Sequence, residues 1–209
     1  MREATLAMVL PATRLQSEAH PQASHDSDDT LALITAARSG DMEAFDLLMR
    51  SHERLVLMTA VRFLNGNMAD AQDAAQTVFL RLHNSLGKFR SEASFPAWLY
   101  RITVNVCHDM NRKAKRRGEV DLGLVARVAA DQNQTLSPDT DRQLEAVKAG
   151  LCELGEKERA AIVLRDIEGL DTGQVASILG SSEATVRSQI SVGRRKLRKF
   201  AEAYMRRRQ

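Results

Sequence analysis

Apolar residues recur along this chain with the helical period near 3.6, and nowhere do they alternate as in a half-buried strand. Leu31, Leu33, Ile34 and Ala37 open the pattern near Thr30, and Gly40 stops it. Asp41 stands where an N-cap belongs, ahead of Phe45, Leu48, Met49, Val56 and Phe63, which predict a long amphipathic helix to about Leu64. Asn65, Gly66 and Asn67 spell a turn. The next helix is expected from about Met68 to Leu86, with Ala71, Ala75, Val78, Leu82 and Leu86 on one face and Gly87 at its end. Ser94 can cap a fourth helix that tolerates Pro96 in its first turn, and Trp98, Leu99, Ile102, Val106 and Met110 continue its stripe.

From Gly118 to about Leu136 the periodicity weakens, which reads as a linker with a short helix at Leu122–Ala130. As a coil of roughly 20 residues its ends would average about 25 Å apart, and full extension would reach about 65 Å. Ser137, Pro138 and Asp139 then form a helix start, with Leu144, Val147 and Leu151 on one face and Gly155 as the break. A helix from Glu156 to Glu168 ends at Gly169. Asp171 and Gln174 have capping-box spacing, and Val175, Ala176, Ile178 and Leu179 face a core. Gly180 sits where a positive φ is needed, and Ser182 caps a last helix carrying Val186, Ile190 and Leu197. A small residue at a crossing, a glycine turn and a branched apolar lock are the ingredients of a helix-turn-helix. The expectation is an all-α protein with a disordered leader at 1–29, a helical domain at 30–117, a flexible linker at 118–136 and a second helical domain at 137–205.

Composition agrees. Of 209 residues, 44% are apolar, enough for a core, and aromatics are only 4%, which favours helices over sheets. The net charge of +3 hides clustering. Arg112, Lys113, Lys115, Arg116 and Arg117 form one basic block, and Arg194, Arg195, Lys196, Arg198 and Lys199 a second. Two such blocks, each ending an apolar-periodic segment, point to a polyanion partner. On the last helix Thr185, Arg187, Ser188, Gln189, Ser191, Arg194 and Arg195 take the exposed positions. Arg187 and Gln189 near its start suit base edges, while Arg194, Arg195, Lys196 and Arg198 suit phosphates.

No catalytic constellation is found: no phosphate-binding glycine loop, no Gly-x-Ser-x-Gly, no His-Glu-x-x-His. No metal site or cofactor is expected either. Cys107 and Cys152 read as reduced thiols of a cytoplasmic chain, Cys152 as an inert packed thiol with a redox-sensitive one as the alternative, and Cys107–His108 as a buried thiol beside a surface imidazole. The run Leu6–Leu10 is too short for a membrane span.

The span from about Ala37 to Tyr204 resembles the extracytoplasmic-function (ECF) sigma factors, group 4 of the sigma-70 family. Leu164-Arg-Asp-Ile-Glu-Gly-Leu170, Val175-Ala-Ser-Ile-Leu-Gly180, Thr185-Val-Arg-Ser188 and Gly193-Arg-Arg-Lys-Leu-Arg198 look like region 4. Asp70-Ala-Gln-Asp73 with Gln76-Thr-Val-Phe-Leu-Arg-Leu82 resembles region 2.2, and Lys88-Phe-Arg90, Phe95-Pro-Ala-Trp98-Leu-Tyr-Arg-Ile102 and Asn105–Asp109 resemble regions 2.3 and 2.4. The resemblance implies a factor that binds core RNA polymerase and directs promoter-specific initiation. Core contacts with the largest-subunit clamp helices would come from Asp70, Asp73, Gln76, Phe79 and Leu80, with the flap a second contact. The −10 element would be melted and read by Lys88, Phe89, Arg90, Phe95, Trp98, Arg101, Asn105, Asp109 and Arg112, the Phe89–Phe95 loop and following helix capturing a flipped base. The −35 element would be read by Thr185, Arg187, Ser188, Gln189, Ser191, Arg194, Arg195 and Arg198. An anti-sigma factor is an implied partner.

The chain departs from the family in having Gly155 where proline is usual, Ala74 and Ala75 where a carboxylate and aliphatics are usual, and Gln189, Ser191 and Val192 where basic or aromatic residues are common. The alanines are expected to reduce contact with polymerase. Two alternatives stand beside this reading. One is a dimeric one-component regulator with the same C-terminal module, which would need a pocket or dimer interface in residues 30–110. The other is a sigma-like chain that sequesters partners without initiating.

Overall fold

The computed structural model describes residues 25–90, 94–117 and 146–206, which fold as two compact helical units with no strand among the described residues. The first comprises α1 (His25–Arg38), α2 (Met42–Phe63), α3 (Met68–Ser85), a 3-10 turn (Leu86–Lys88) and α4 (Phe95–Arg116). Short polar side chains set the helix starts. Asp41 accepts from the amides of Glu43 at 2.9 Å and Ala44 at 3.0 Å, Asn67 from Asp70 at 3.2 Å, and Ser94 from Ala97 at 3.3 Å, satisfying donors that the first turn leaves orphaned. Asn65 and Gly66 turn the chain with φ of 57° and 81°.

α2 is the hub of this unit and packs against α1, α3 and α4. Leu48, Val56 and Ala60 of α2, Ala71, Ala74, Val78 and Leu82 of α3, and Leu99 and Val104 of α4 are all but excluded from solvent, with Ile34 of α1 sealing one side. Each buried leucine or valine contributes about 1.5–3 kcal/mol relative to exposure.

The second unit holds α5 (146–152), α6 (Glu156–Ile162), a wide turn of π type (Val163–Ile167), α7 (Thr172–Leu179) and α8 (Glu183–Arg206). Arg159 of α6 is buried, and its guanidinium donates to the carbonyls of Leu151 at 2.9 Å and Leu154 at 3.2 Å, closing the end of α5. The capping box before α7 is reciprocal: Asp171 accepts from the Gln174 amide at 2.8 Å and its own amide donates to the Gln174 side chain at 3.0 Å. Gly180 adopts φ 58° between α7 and α8, and Ser182 accepts from the Thr185 amide at 3.2 Å. α8 crosses α6 at Gly193, which is buried against Ile162.

Three boundaries differ from those expected. α1 begins at His25 rather than near Thr30, since a polar, acid-rich composition is compatible with a helix start as well as a linker. Gly87 lies inside a 3-10 turn instead of ending α3. The helix from Glu156 keeps α geometry only to Ile162; the Glu168 amide then donates to the Val163 carbonyl at 2.9 Å, widening the last turn before Gly169 reverses the chain at φ 75°. The expected leader up to residue 24, the linker with its Leu122–Ala130 helix, and the Ser137–Asp139 helix start lie outside the described residues.

Candidate nucleic-acid interface

Glycine at 180 and the caps at Asp171 and Ser182 present α8 with one face on the core and the other in solvent. Val186, Ile190, Gly193, Leu197 and Ala201 are the buried face. Thr185, Arg187, Ser188, Ser191, Arg194, Arg195 and Arg198 are exposed, as the periodicity predicts. Gln189 differs: it is half-buried and its Oε1 is enclosed with no hydrogen-bond partner among the described residues, so it is turned away from the solvent face.

A groove of about 560 Å³ runs along this face, lined by Arg165, Thr172, Arg187, Ile190, Ser191, Arg194, Arg195 and Arg198. Five guanidinium groups line this one polar groove, a chemistry suited to anions. Three cations of α8 are paired with carboxylates. Arg194 is held in a bidentate pair, Nη2 to Asp166 Oδ1 at 2.5 Å and Nε to Oδ2 at 2.9 Å, and that hydrogen bonding raises its pKa further. Lys196 reaches Glu158 at 2.7 and 3.0 Å, and its hydrogen bond holds the Glu158 carboxyl below the usual range. Arg187 pairs with Glu183 one turn back. Arg194 and Lys196 therefore tie α8 to the π turn and to α6 as well as charging its surface.

Arg165 and Thr172 were not among the expected contacts. Arg165 sits in the π turn with Nη1 donating to the Leu170 carbonyl at 3.1 Å, and Thr172 opens α7. Their place on the groove depends on how α6 and α7 meet α8, which no local periodicity encodes.

On the first unit, Trp98, Arg101, Asn105, Asp109 and Arg112 follow one another at three- and four-residue steps along α4, which puts them on one side of the helix. Lys88, Arg90, Arg101, Asn105 and Arg112 are exposed. Phe89 and Phe95 are only 5% and 4% exposed. Their rings meet edge to face at 5.5 Å, Trp98 lies 5.2 Å from Phe89 and 6.0 Å from Phe95, and His52 meets Phe95 at 5.0 Å. Burial among these groups pushes the His52 pKa down. The two phenylalanines are thus walls of an aromatic cluster, and Trp98, half-buried, is its ring with exposed surface.

Asp109, expected among the −10 contacts, is ion-paired within the unit. Its carboxylate accepts from Arg81 of α3 at 2.9 Å and from Arg112 at 2.5 Å, and the Arg81 hydrogen bond holds its pKa down. An acid between two arginines clamps α3 to α4 and orients Arg112.

Along α3, Asp70, Asp73, Gln76 and Leu80 form an exposed stripe with Phe79 half-buried beside it. Leu80 is 67% exposed, an apolar side chain among acids and amides. Ala74 and Ala75 are buried in the core and do not belong to the exposed stripe.

Among the described residues there is no group of His, Cys, Asp and Glu able to hold a metal, and no helix long and apolar enough to cross a membrane. Burial pushes the Cys107 thiol up to about 12, which leaves it un-ionised and inert. Cys152 is exposed, not packed as expected, because it follows the buried Leu151 onto the solvent side of α5. His108 is half-buried with its ring 6.1 Å from Phe63, rather than on the surface.

Known proteins share both units. Residues 48–117 match the family model Sigma-70 region 2, and residues 144–197 match Sigma-70, region 4. The chain is 36% identical over 176 residues to the ECF RNA polymerase sigma factor SigM of Mycobacterium tuberculosis, covering 83% of this chain and 84% of that protein. It is 30% identical over 184 residues to the RNA polymerase sigma-H factor of Pseudomonas aeruginosa, covering 83% of this chain and 94% of that one. Among solved structures, CnrH in complex with the cytosolic domain of CnrY matches with TM-score 0.61 at 27% identity, over 84% of this chain and 97% of CnrH. The sigma factor RpoE of Bartonella quintana, in complex with the anti-sigma factor NepR, shares the fold with TM-score 0.60 at 23% identity, over 73% of this chain and 96% of RpoE.

Proposed function

The chain belongs to the ECF group of the sigma-70 family, and from that premise we propose how its two units divide the work of starting transcription. It is an RNA polymerase sigma factor that binds core polymerase and directs promoter-specific initiation. We assign residues 30–117 to region 2, 137–205 to region 4 and 118–136 to the linker between them.

In this reading the α3 stripe of Asp70, Asp73, Gln76, Phe79 and Leu80 docks on the clamp helices of the largest subunit. Leu80 supplies apolar burial and the acids supply complementarity to a basic surface. Trp98 stacks on an unstacked −10 base, with Phe89 and Phe95 as the walls behind it. Lys88, Arg90, Arg101, Asn105 and Arg112 contact the backbone and edges of the opened strand. On region 4, Thr185, Arg187, Ser188 and Ser191 face base edges of the −35 duplex, while Arg195 and Arg198, joined by Arg165, take phosphates. The flap of the polymerase is assigned to region 4 as well. An anti-sigma factor, the kind of partner bound to the Bartonella RpoE, is proposed here too. The chain itself is read as non-catalytic and cytoplasmic.

The observation that carries this reading is the pairing, in one chain, of an apolar-centred acidic stripe on α3 with an arginine-lined groove on α8. Gel shift tests it against a dimeric regulator. The purified chain should run as a monomer and shift promoter-length DNA strongly only with core polymerase. A dimer that shifts a palindromic site without polymerase would contradict it.

A further inference from the structure

Arg38 closes α1, and its guanidinium reaches to the segment between α3 and α4. Nε donates to the Leu86 carbonyl at 3.0 Å, and Nη2 donates to the Phe89 carbonyl. Cζ lies 6.0 Å from the Phe89 ring centroid, at cation–π distance. Leu86 opens the 3-10 turn and Phe89 caps it, so one planar fork grips that turn at both ends. The Leu86 carbonyl also accepts the Phe89 amide at 3.1 Å, completing the turn. A lysine has no such rigid pair of donors.

What Arg38 holds is the base of the aromatic cluster. Phe89 touches both Phe95 and Trp98, at 5.5 and 5.2 Å between centroids. A backbone shift at Phe89 would therefore move the ring against which Trp98 is set. We propose that Arg38 is a positioning residue for promoter opening: it fixes Phe89, and through Phe89 the Trp98 ring, in the placement that receives an unstacked base. This rests on the reading of Trp98 and its neighbours as the −10 site. Arg38 itself touches no DNA in this scheme, and α1 acquires a role in base capture.

The test separates base capture from folding. Holoenzyme is reconstituted with the full chain, unaltered or as Arg38→Ala, Arg38→Lys or Trp98→Ala. The probes are single-stranded non-template oligonucleotides carrying the −10 element of a promoter selected from a random library, each with one abasic position. Unaltered holoenzyme should lose about tenfold in affinity at the captured position, the scale of one stacked base. Arg38→Ala should reduce that penalty to about twofold or less, with core affinity and −35 duplex binding unchanged. Arg38→Lys keeps charge and stem but not the fork, should behave alike, and carries the test if Arg38→Ala does not fold. Arg38 variants that keep the full penalty while Trp98→Ala abolishes it overturn the inference alone. If no position is penalised in unaltered holoenzyme, or Trp98→Ala keeps the penalty, the −10 reading fails and this inference with it.

Discussion

Gly193 of α8 lies so close to Ile162 of α6 that a Cβ on it would stand 2.7 Å from Ile162 Cγ1 and 3.3 Å from Cδ1. The crossing of these two helices sets the angle at which the arginine-lined face is presented, and ion pairs at Glu158–Lys196 and Asp166–Arg194 flank it. Gly193→Ala gains about 1 kcal/mol of helix propensity but overpacks a rigid contact at about 1–3 kcal/mol. Cγ1 is near the Ile162 backbone and cannot swing clear, so the cost prevails. Urea unfolding should show a net loss of up to about 2 kcal/mol, and that loss should vanish in an Ile162→Ala background. A Gly193→Ala variant more stable than the parent would mean that the helices do not cross here.

The cations of α8 should separate by salt dependence. Arg187→Ala should relax −35 sequence preference, while Arg198→Ala should weaken all duplexes evenly and lower the salt slope by about 1. Arg194 is already paired with Asp166, so Arg194→Ala should change the slope less than Arg198→Ala. Fluorescence titration of holoenzyme on promoter and scrambled duplexes across a salt series measures all three. Equal effects from Arg187 and Arg198 would remove the division between base and phosphate contacts.

Glu158 gives region 4 an acid-sensitive fastening. Its folded pKa lies below the ordinary 4.5, first because Lys196 donates to it. As pH falls, the unfolded chain takes up the proton first. The stabilisation is therefore complete above about pH 4.5 and is lost as pH falls through the folded value. Asp109 behaves likewise below its ordinary 3.8, through Arg81. Between about pH 6 and pH 3, unaltered protein should lose more stability than Lys196→Met, as read by urea midpoints. Equal losses would show that the Glu158–Lys196 pair does not set the acid sensitivity.

Leu80 should matter for assembly and not for folding. It is 67% exposed, so Leu80→Asp should leave the thermal midpoint unchanged. Burying a leucine in a complex is worth about 1.5–3 kcal/mol, so affinity for core polymerase should fall about tenfold or more. Titration of labelled protein with core measures it, and unchanged affinity would remove α3 from the interface.

Local chemistry made much of this fold legible. Asp41, Ser94, the Asp171–Gln174 box and Gly180 each act within four residues, and the structure places each as expected. The contacts that build the sites act at longer range. Arg81 meets Asp109 and Arg194 meets Asp166 across 28 positions, and Arg38 meets Leu86 across 48. Such pairs depend on how helices rotate against one another, which a 3.6-residue period leaves open. The same gap explains why Gln189, assigned to the solvent face, turns inward, and why Phe89 and Phe95 are walls while Trp98 keeps surface.

Runoff transcription from a randomised promoter library, with purified core polymerase and no other factor, tests the assignment most directly. A sigma factor built this way should yield transcripts enriched for a bipartite sequence. Trp98→Ala should abolish enrichment of the downstream half and Arg187→Ala weaken that of the upstream half. No specific transcript above core alone, from protein shown to be free of any anti-sigma partner, would contradict the assignment.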